Sequence, residues 1–271
     1  MQINDIYKFF ADYVYENSGI VYKEAEFYRL ESRLKMLTDH FEKENIEEIY
    51  KHYQGPITKE MHSFLIDICT NNETYFMRDM KPFKFFATEV LKELQETFGG
   101  KEIVLWSCAC SRGQEPYSAL MSVDAFAKPL FDNFRIEATD ISSDMIEKSA
   151  NATYTILEVQ RGLPAPFLVR YLDKVDESHW QIKSNIRSKV TFDEFNLLTG
   201  NFPINKYEMI FCRNVLIYQN TENRQKILLK LYESLKPGGY LLMGAGESMI
   251  GIDTPFKLTK FGETIFYKKE N

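Results

Sequence analysis

The spacing of apolar residues changes once along this chain, at Gly99-Gly100, and that switch limits what the chain can fold into. Before it, apolar positions recur three and four apart. Phe27, Leu30, Leu34, Leu37 and Phe41 form one stripe, and Met61, Phe64, Leu65 and Ile68 another, as on the buried faces of helices. Breaks at Asn17 to Gly19, Gln54 to Pro56 and Asn71 to Asn72 divide the segment, and a last helix is predicted from near Pro82 to Gly99-Gly100. After the switch, short apolar runs at Ile103 to Trp106, Phe134 to Thr139, Lys189 to Phe192, Met209 to Cys212 and Tyr240 to Met243 alternate with helix-period stretches near 115–127, 142–150 and 221–235. Buried strands alternating with helices predict an α/β fold, a parallel sheet covered on both faces. Phe256 to Lys260 and Glu263 to Lys268, around Gly262, predict a closing antiparallel pair, and the weaker pattern from Asn151 to Lys189 predicts a small insert.

Charge also divides the chain, at an earlier point. Up to Arg78 there are 9 basic and 14 acidic residues, against 24 and 25 beyond it, for a net charge of −6 over 271 residues. Such a balance offers no global attraction to nucleic acid or to an anionic membrane surface. The first residues read as an amphipathic helix interrupted by Asp5, Asp12 and Glu16 rather than as a secretory leader, and no apolar run reaches the roughly 18 residues of a membrane span. Four sparse cysteines, Cys69, Cys108, Cys110 and Cys212, fit a reducing cytoplasm, and Cys108 and Cys110 lack the two-residue spacing of a redox or zinc pair. His40, His52, His62 and His179 have no ligand spacing, so no metal site is expected.

Ligands of open parallel sheets bind beyond the carboxyl ends of the strands. There, Ile103 to Trp106 runs into Ser107-Cys108-Ala109-Cys110-Ser111-Arg112-Gly113-Gln114-Glu115-Pro116, a loop of small residues that lets backbone approach a ligand. It is not a phosphate cradle, because GxGxxG and the Lys-Ser/Thr pair are missing. The second run ends at Thr139-Asp140, where a carboxylate can accept hydrogen bonds from both hydroxyls of a ribose or, equally on spacing alone, cap the helix that follows. Leu235-Lys236-Pro237-Gly238-Gly239-Tyr240 then joins a helix end to a buried strand. In that order the three features resemble class I S-adenosylmethionine-dependent methyltransferases.

Three further strings narrow the resemblance. Asn72-Glu73-Thr74-Tyr75-Phe76-Met77-Arg78, the segment from Trp106 to Ser118, and Phe211-Cys212-Arg213-Asn214-Val215-Leu216-Ile217-Tyr218 are similar to the signature segments of the chemotaxis receptor methyltransferases, the CheR family. Asn196-Leu197-Leu198 and Gly244-Ala245-Gly246-Glu247-Ser248 extend the likeness. The resemblance implies a Rossmann-like class I methyltransferase sheet over 79–271, an all-helical N-terminal domain over 1–78 and a small β-rich insert within 155–190. It also implies methyl transfer from S-adenosylmethionine, leaving S-adenosylhomocysteine, to glutamate side chains of a chemoreceptor cytoplasmic domain. Carried over by position, Asn72, Thr74 and Arg78 line the cofactor and methyl-transfer cleft, Glu115 sits by the methionine part, Asp140 by the ribose, and Asn196 and Leu197 by the adenine. Arg213, Asn214 and Tyr218 complete the site near the transferred methyl, with Arg78, Arg213 and Tyr218 as the catalytic set.

Those assignments agree with elementary chemistry. A glutamate carboxylate is nucleophilic at neutral pH, so alignment with the methyl and sulfur matters more than a base. A fork of arginine donors suits a carboxylate, and a tyrosine ring face suits a sulfonium. Taken singly, Arg78 reads sooner as a surface partner of Asp79 or Glu73, Tyr218 as core, and Glu115 as an ordinary first-turn acid, and only the joint pattern overturns these readings. The chain departs from the family pattern at Arg112 and Gln114, where Thr and Glu are usual, which adds two units of positive charge to the loop. Its second helix mixes Lys23, Arg29, Arg33 and Lys35 with Glu24, Glu26, Glu31 and Asp39 where the family's is basic, and Arg29 and Arg33 remain as a local patch. The stretch from Asp173 to Trp180 lacks the glycine with which some members bind a receptor's C-terminal pentapeptide, so no such tether is expected. The competing functions are a non-catalytic S-adenosylmethionine-binding regulatory or scaffold protein, and an RNA or small-molecule methyltransferase, which the net charge of −6 disfavours.

Overall fold

A computed structural model describes residues 3–270. The helical stripes form α1 (Ile3–Ser18), α2 (Phe27–His40), α3 (Ile46–Tyr53) and α4 (Lys59–Cys69). The ends follow local chemistry: Asn45 and Thr58 cap α3 and α4 by accepting from the amides of Glu48 and Met61. The apolar faces meet in a cluster of their own, with Phe10, Val14, Leu30, Leu34, Leu37, Ile49 and Leu65 fully buried. Truncating such a side chain costs on the order of 3 kcal/mol.

The helix expected from Pro82 begins at Met80, which places the proline in the first turn, where its missing amide leaves no bond unmade. It runs as α5 (Met80–Phe85), a π turn over Phe86–Val90 and α6 (Leu91–Thr97). The chain then alternates: β1 (Ile103–Cys108), α7 (Gln114–Phe126), β2 (Phe134–Asp140) and α8 (Ser143–Asn151). Residues 153–187 hold β3 (Thr153–Thr155), α9 (Ile156–Gln160), α10 (Ala165–Tyr171), β4 (Leu172–Lys174), β5 (His179–Ile182) and α11 (Ser184–Arg187). There follow β6 (Val190–Glu194), β7 (Tyr207–Cys212), α12 (Thr221–Ser234), β8 (Leu235–Met243), β9 (Lys257–Phe261) and β10 (Thr264–Lys268).

The main sheet has the order β6-β2-β1-β7-β8-β10-β9, parallel through β8 and antiparallel at β10 and β9. Alternate residues of β1 serve opposite faces. Ile103 and Leu105 pack with Phe86, Leu120 and Met121, while Val104 and Trp106 pack with Ile227, Leu228 and Leu231 of α12. Both faces being covered explains why this strand reads as an unbroken apolar run. β3, β5 and β4 form a separate antiparallel sheet of three short strands. In the main sheet the strand order reverses at β1, flanked by β2 and β7, so the crevice of a doubly wound sheet opens above their carboxyl ends.

Candidate functional site

The loop leaving β1 turns back through Ala109 and Ser111, both at positive φ (53° and 51°), and Gly113 (84°). Its tight path aims the Ser111 amide at Asp140 Oδ2 (2.7 Å), while the Ser142 amide reaches Oδ1 (3.0 Å). Ser142 itself caps α8 by accepting from the Met145 amide, so Asp140 is free of the capping role that spacing alone allowed. Burial pushes the Asp140 carboxyl above the usual aspartate range, opposed by the amides of Ser142, Ser111 and Ile141.

Directly after β7, Arg213 lies across the crevice with its side chain 1% exposed. Nη1 donates to Glu115 Oε2 (3.0 Å), and Nη2 to the Arg78 carbonyl (2.8 Å) and Asp79 Oδ2 (3.1 Å). The Phe83 ring lies 5.1 Å from its guanidinium carbon. Nε is buried without a partner. Glu115 also accepts from Ser107 Oγ (2.8 Å); burial raises its carboxyl above the ordinary range, with Arg213 and Ser107 pulling it back. One guanidinium thus joins the start of α7, the end of β7 and the segment before α5. Arg78 does not form the side-chain ion pairs that its neighbours suggested. It donates to the Glu73 carbonyl (3.0 Å) and lies over the Tyr75 ring (5.6 Å), while Asp79 goes to Arg213 and the Glu73 carboxylate to Arg161.

The structure brings every site residue expected from sequence to this one crevice: Asn72, Thr74, Arg78, Glu115, Asp140, Asn196, Leu197, Arg213, Asn214 and Tyr218 all line it. It encloses about 980 Å³ of non-atom space, its open mouth included. Asn196 has both side-chain functions engaged, Nδ2 donating to the Asn17 carbonyl (2.7 Å) and Oδ1 accepting from the Leu198 amide (2.8 Å). Tyr218 is half-buried and accepts a hydrogen bond at its hydroxyl from Asn71 Nδ2.

Arg112 and Gln114 do not line the crevice. Arg112 pairs with Glu158 of α9 at 2.5 Å, and its carbonyl accepts from Tyr154 of β3 (2.8 Å). Gln114 is buried, 2% exposed. The expected extra positive charge on this loop is therefore met by the insert and does not face a ligand. Arg29 of the basic patch is bound locally to Glu26 (3.4 Å) and lies over Tyr22. All four thiols are buried, and burial raises those of Cys108, Cys110 and Cys212 well above the usual range, which suits packing rather than reactivity. Among the described residues no cluster of His, Cys, Asp and Glu could hold a metal, and no helix is long and apolar enough to cross a membrane.

Two contributions escaped sequence reasoning. Ser18 and Ile20, from the end of α1, form part of the crevice wall. Ile20 bridges antiparallel to Gln219, the Val21 amide donates to the Tyr218 carbonyl (3.3 Å), and Gln219 Nε2 donates to the Ser18 carbonyl (2.9 Å). Gly19, at φ +73°, allows this approach, since a Cβ there would lie 2.0 Å from Gln219 Oε1. The second is Glu247, whose carboxylate accepts from four backbone amides of the two loops after β7 and β8. Its only sequence trace is the acid within Gly244 to Ser248, a string that carried no role.

Comparison with known proteins bears on the same stretch. The family model described as CheR methyltransferase, SAM binding domain, matches residues 72–265. Chemotaxis protein methyltransferase 1 of Pseudomonas aeruginosa is 35% identical, with 98% of each chain covered. A chemotaxis protein methyltransferase of Pseudomonas putida is 34% identical over 92% of each chain, and one of Vibrio parahaemolyticus 33% identical over 97% of this chain and 96% of its own.

Proposed function

This chain belongs to the CheR methyltransferase family, and on that premise we propose that it esterifies glutamate side chains in the cytoplasmic domain of a chemoreceptor. It is a chemotaxis methyltransferase that uses S-adenosylmethionine. The residues present suit that group: a buried carboxylate at the end of β2, and a crevice beyond the strand ends lined by Glu115, Asp140 and Arg213. When bound, the cofactor supplies a methyl made electrophilic by its sulfonium.

In this reading Asp140 accepts from the ribose hydroxyls. Glu115 sets negative charge near the amino group, while Asn72, Thr74 and Asn214 hold the methionine end beside Arg213. Leu197 packs against the adenine. Asn196, whose side chain is tied to Asn17 and Leu198, offers the base its backbone and aliphatic part. Arg78 steers the acceptor carboxylate and Tyr218 orients it, the reaction depending on alignment rather than on proton removal. Arg213 works by rigidity, since its Nη donors are already committed. The observation that carries the reading is this Glu115–Arg213–Asp79 chain, which fixes the cofactor-side loop and the Arg78 segment in one frame.

The same reading divides the chain into a helical unit over 1–78 and a methyltransferase unit over 79–271, supported by the separate apolar cluster of α1 to α4. It places the protein in the cytoplasm, with neither nucleic acid nor membrane insertion. It also dispenses with a receptor-tail tether. The turn between β4 and β5 is closed by Asp176, which accepts from the amides of Ser178 (2.7 Å) and His179 (2.8 Å), and it contains no glycine.

The test is mass spectrometry of receptor cytoplasmic fragments after incubation with labelled S-adenosylmethionine, comparing wild type with Arg78→Ala. Base-labile glutamate methyl esters that require Arg78 are expected. Tight S-adenosylhomocysteine binding with no ester on any fragment would favour the non-catalytic alternative.

A further inference from the structure

The loop after β7 must satisfy two demands at once. Asn214, at its start, faces the crevice with φ +59°, a left-handed conformation that asparagine adopts more readily than other non-glycine residues but that belongs to no helix or strand. Four residues later Tyr218 closes a one-turn 3₁₀ helix over Leu216–Tyr218, too short to be stable by itself. Neither ligand-facing residue is held by its own element.

Both are held from behind. Glu247, 9% exposed, accepts at Oε2 from the amides of Asn214 (2.7 Å) and Gly244 (2.8 Å), and at Oε1 from those of Leu216 (2.8 Å) and Ile217 (3.2 Å). Four backbone donors around one acceptor-only group suit a carboxylate and no neutral side chain. The amide of a glutamine would turn N–H against N–H on one side. The loops are also pressed together: a Cβ at Gly244 would lie 2.7 Å from Asn214 Nδ2 and 2.9 Å from its backbone nitrogen. Glu247 does not line the crevice; it borders a neighbouring groove with Asp79, Met243 and Tyr267. It therefore reaches the chemistry only through the residues it holds.

We propose that Glu247 is a positioning residue that sets Asn214, on the cofactor side, and Tyr218, on the acceptor side, in register with each other. The inference rests on the methyl-transfer reading for Tyr218 and on cofactor binding alone for Asn214. The experiment measures ester formation on receptor fragments and, by calorimetry, S-adenosylhomocysteine affinity, for Glu247→Gln in wild-type, Tyr218→Phe and Asn214→Ala backgrounds, with thermal unfolding of each variant. Expected are a fall of about tenfold or more in kcat in the wild-type background, shrinking to less than about threefold once Tyr218 is already altered, because residues acting as a unit are not additive. Affinity is expected to fall by less in the Asn214→Ala background than in wild type. Glu247→Asp, which keeps the charge, is expected to recover part of both losses.

Equal fold-losses in all backgrounds, or losses that follow the unfolded fraction, would overturn the inference. So would failure of both Glu247→Gln and Glu247→Asp to fold, since Glu247 would then hold the fold and not the site. Absence of esters with wild-type protein would defeat the methyl-transfer reading instead, and the affinity comparison with Asn214 would still decide the role of Glu247.

Discussion

Two buried ion pairs stand at opposite ends of β7. At its start Glu208, 1% exposed, accepts from the Val104 amide (2.8 Å) and from Lys236 Nζ. Just past its end Arg213 is held by Glu115 and Asp79. In composition the two are alike, each with one charged side chain withdrawn from water, Glu208 or Arg213, and a partner, Lys236 or Asp79, that is 36% exposed. They differ in what else they meet. Glu208 is closed off by the backbone of β1, whereas Arg213 lines a crevice and keeps one buried donor unmatched. A buried charge is thus no mark of a site by itself. Position on a crevice at the carboxyl ends of parallel strands is.

The strongest way to break this contrast is Arg213→Ala. It leaves Glu115 and Asp79 without their partner, for which a destabilisation of about 3–5 kcal/mol is expected alongside loss of methyl transfer and of S-adenosylhomocysteine binding. Binding that survived in the folded fraction would make the two ends equivalent after all. Next is Glu208→Gln, expected to cost about 1–3 kcal/mol and to lower Tm by several degrees while leaving cofactor affinity within about twofold. A marked change in affinity would erase the distinction from the other side.

Asp140→Asn is expected to weaken cofactor binding by about 1–3 kcal/mol, the cost of losing charge-assisted bonds to hydroxyls. Burial holds this carboxyl above its usual range, so acidification protonates it early and removes its acceptor strength. Wild-type affinity should accordingly decline on acidification sooner than an ordinary aspartate would impose, and the Asn variant should lack that limb in calorimetric titrations. The contribution of this group to folding has the opposite sign. A raised native value means that its share of stability is greatest at low pH and is lost as the pH rises through that value. Smallest of all is Arg112→Thr, which breaks a partly exposed pair with Glu158 and should change stability by about 1 kcal/mol or less, with cofactor affinity unmoved.

Much of this was legible in the chain. The strand runs and the helical stripes carry their periods openly because each buries a continuous face, as Leu30, Leu34 and Leu37 do. Asp140 announced itself by following a strand end, whereas Glu115, an ordinary first-turn acid when taken alone, was picked out only by the family resemblance. Strands of the small sheet, three or four residues long, were too brief for any period to register. Nor could the pairing of Ile20 with Gln219 be read, since its partners lie far apart in sequence and it runs through backbone, which leaves no side-chain signature. Glu247 was visible as a letter, but its role depends on four amides that converge only after β7 and β8 lie side by side.

The strap formed by Ser18 and Ile20 also decides how far this protein can be dissected. A fragment starting at residue 72, where the family model begins to match, would retain every strand of the main sheet and nearly every residue singled out from sequence. It would lack Ser18, Ile20, Thr70 and Asn71, and with them one side of the ligand's enclosure and the donor on the Tyr218 hydroxyl. Sequence boundaries and the boundaries of the crevice therefore do not coincide: the stretch that holds every strand of the main sheet leaves out part of the wall around the ligand's place.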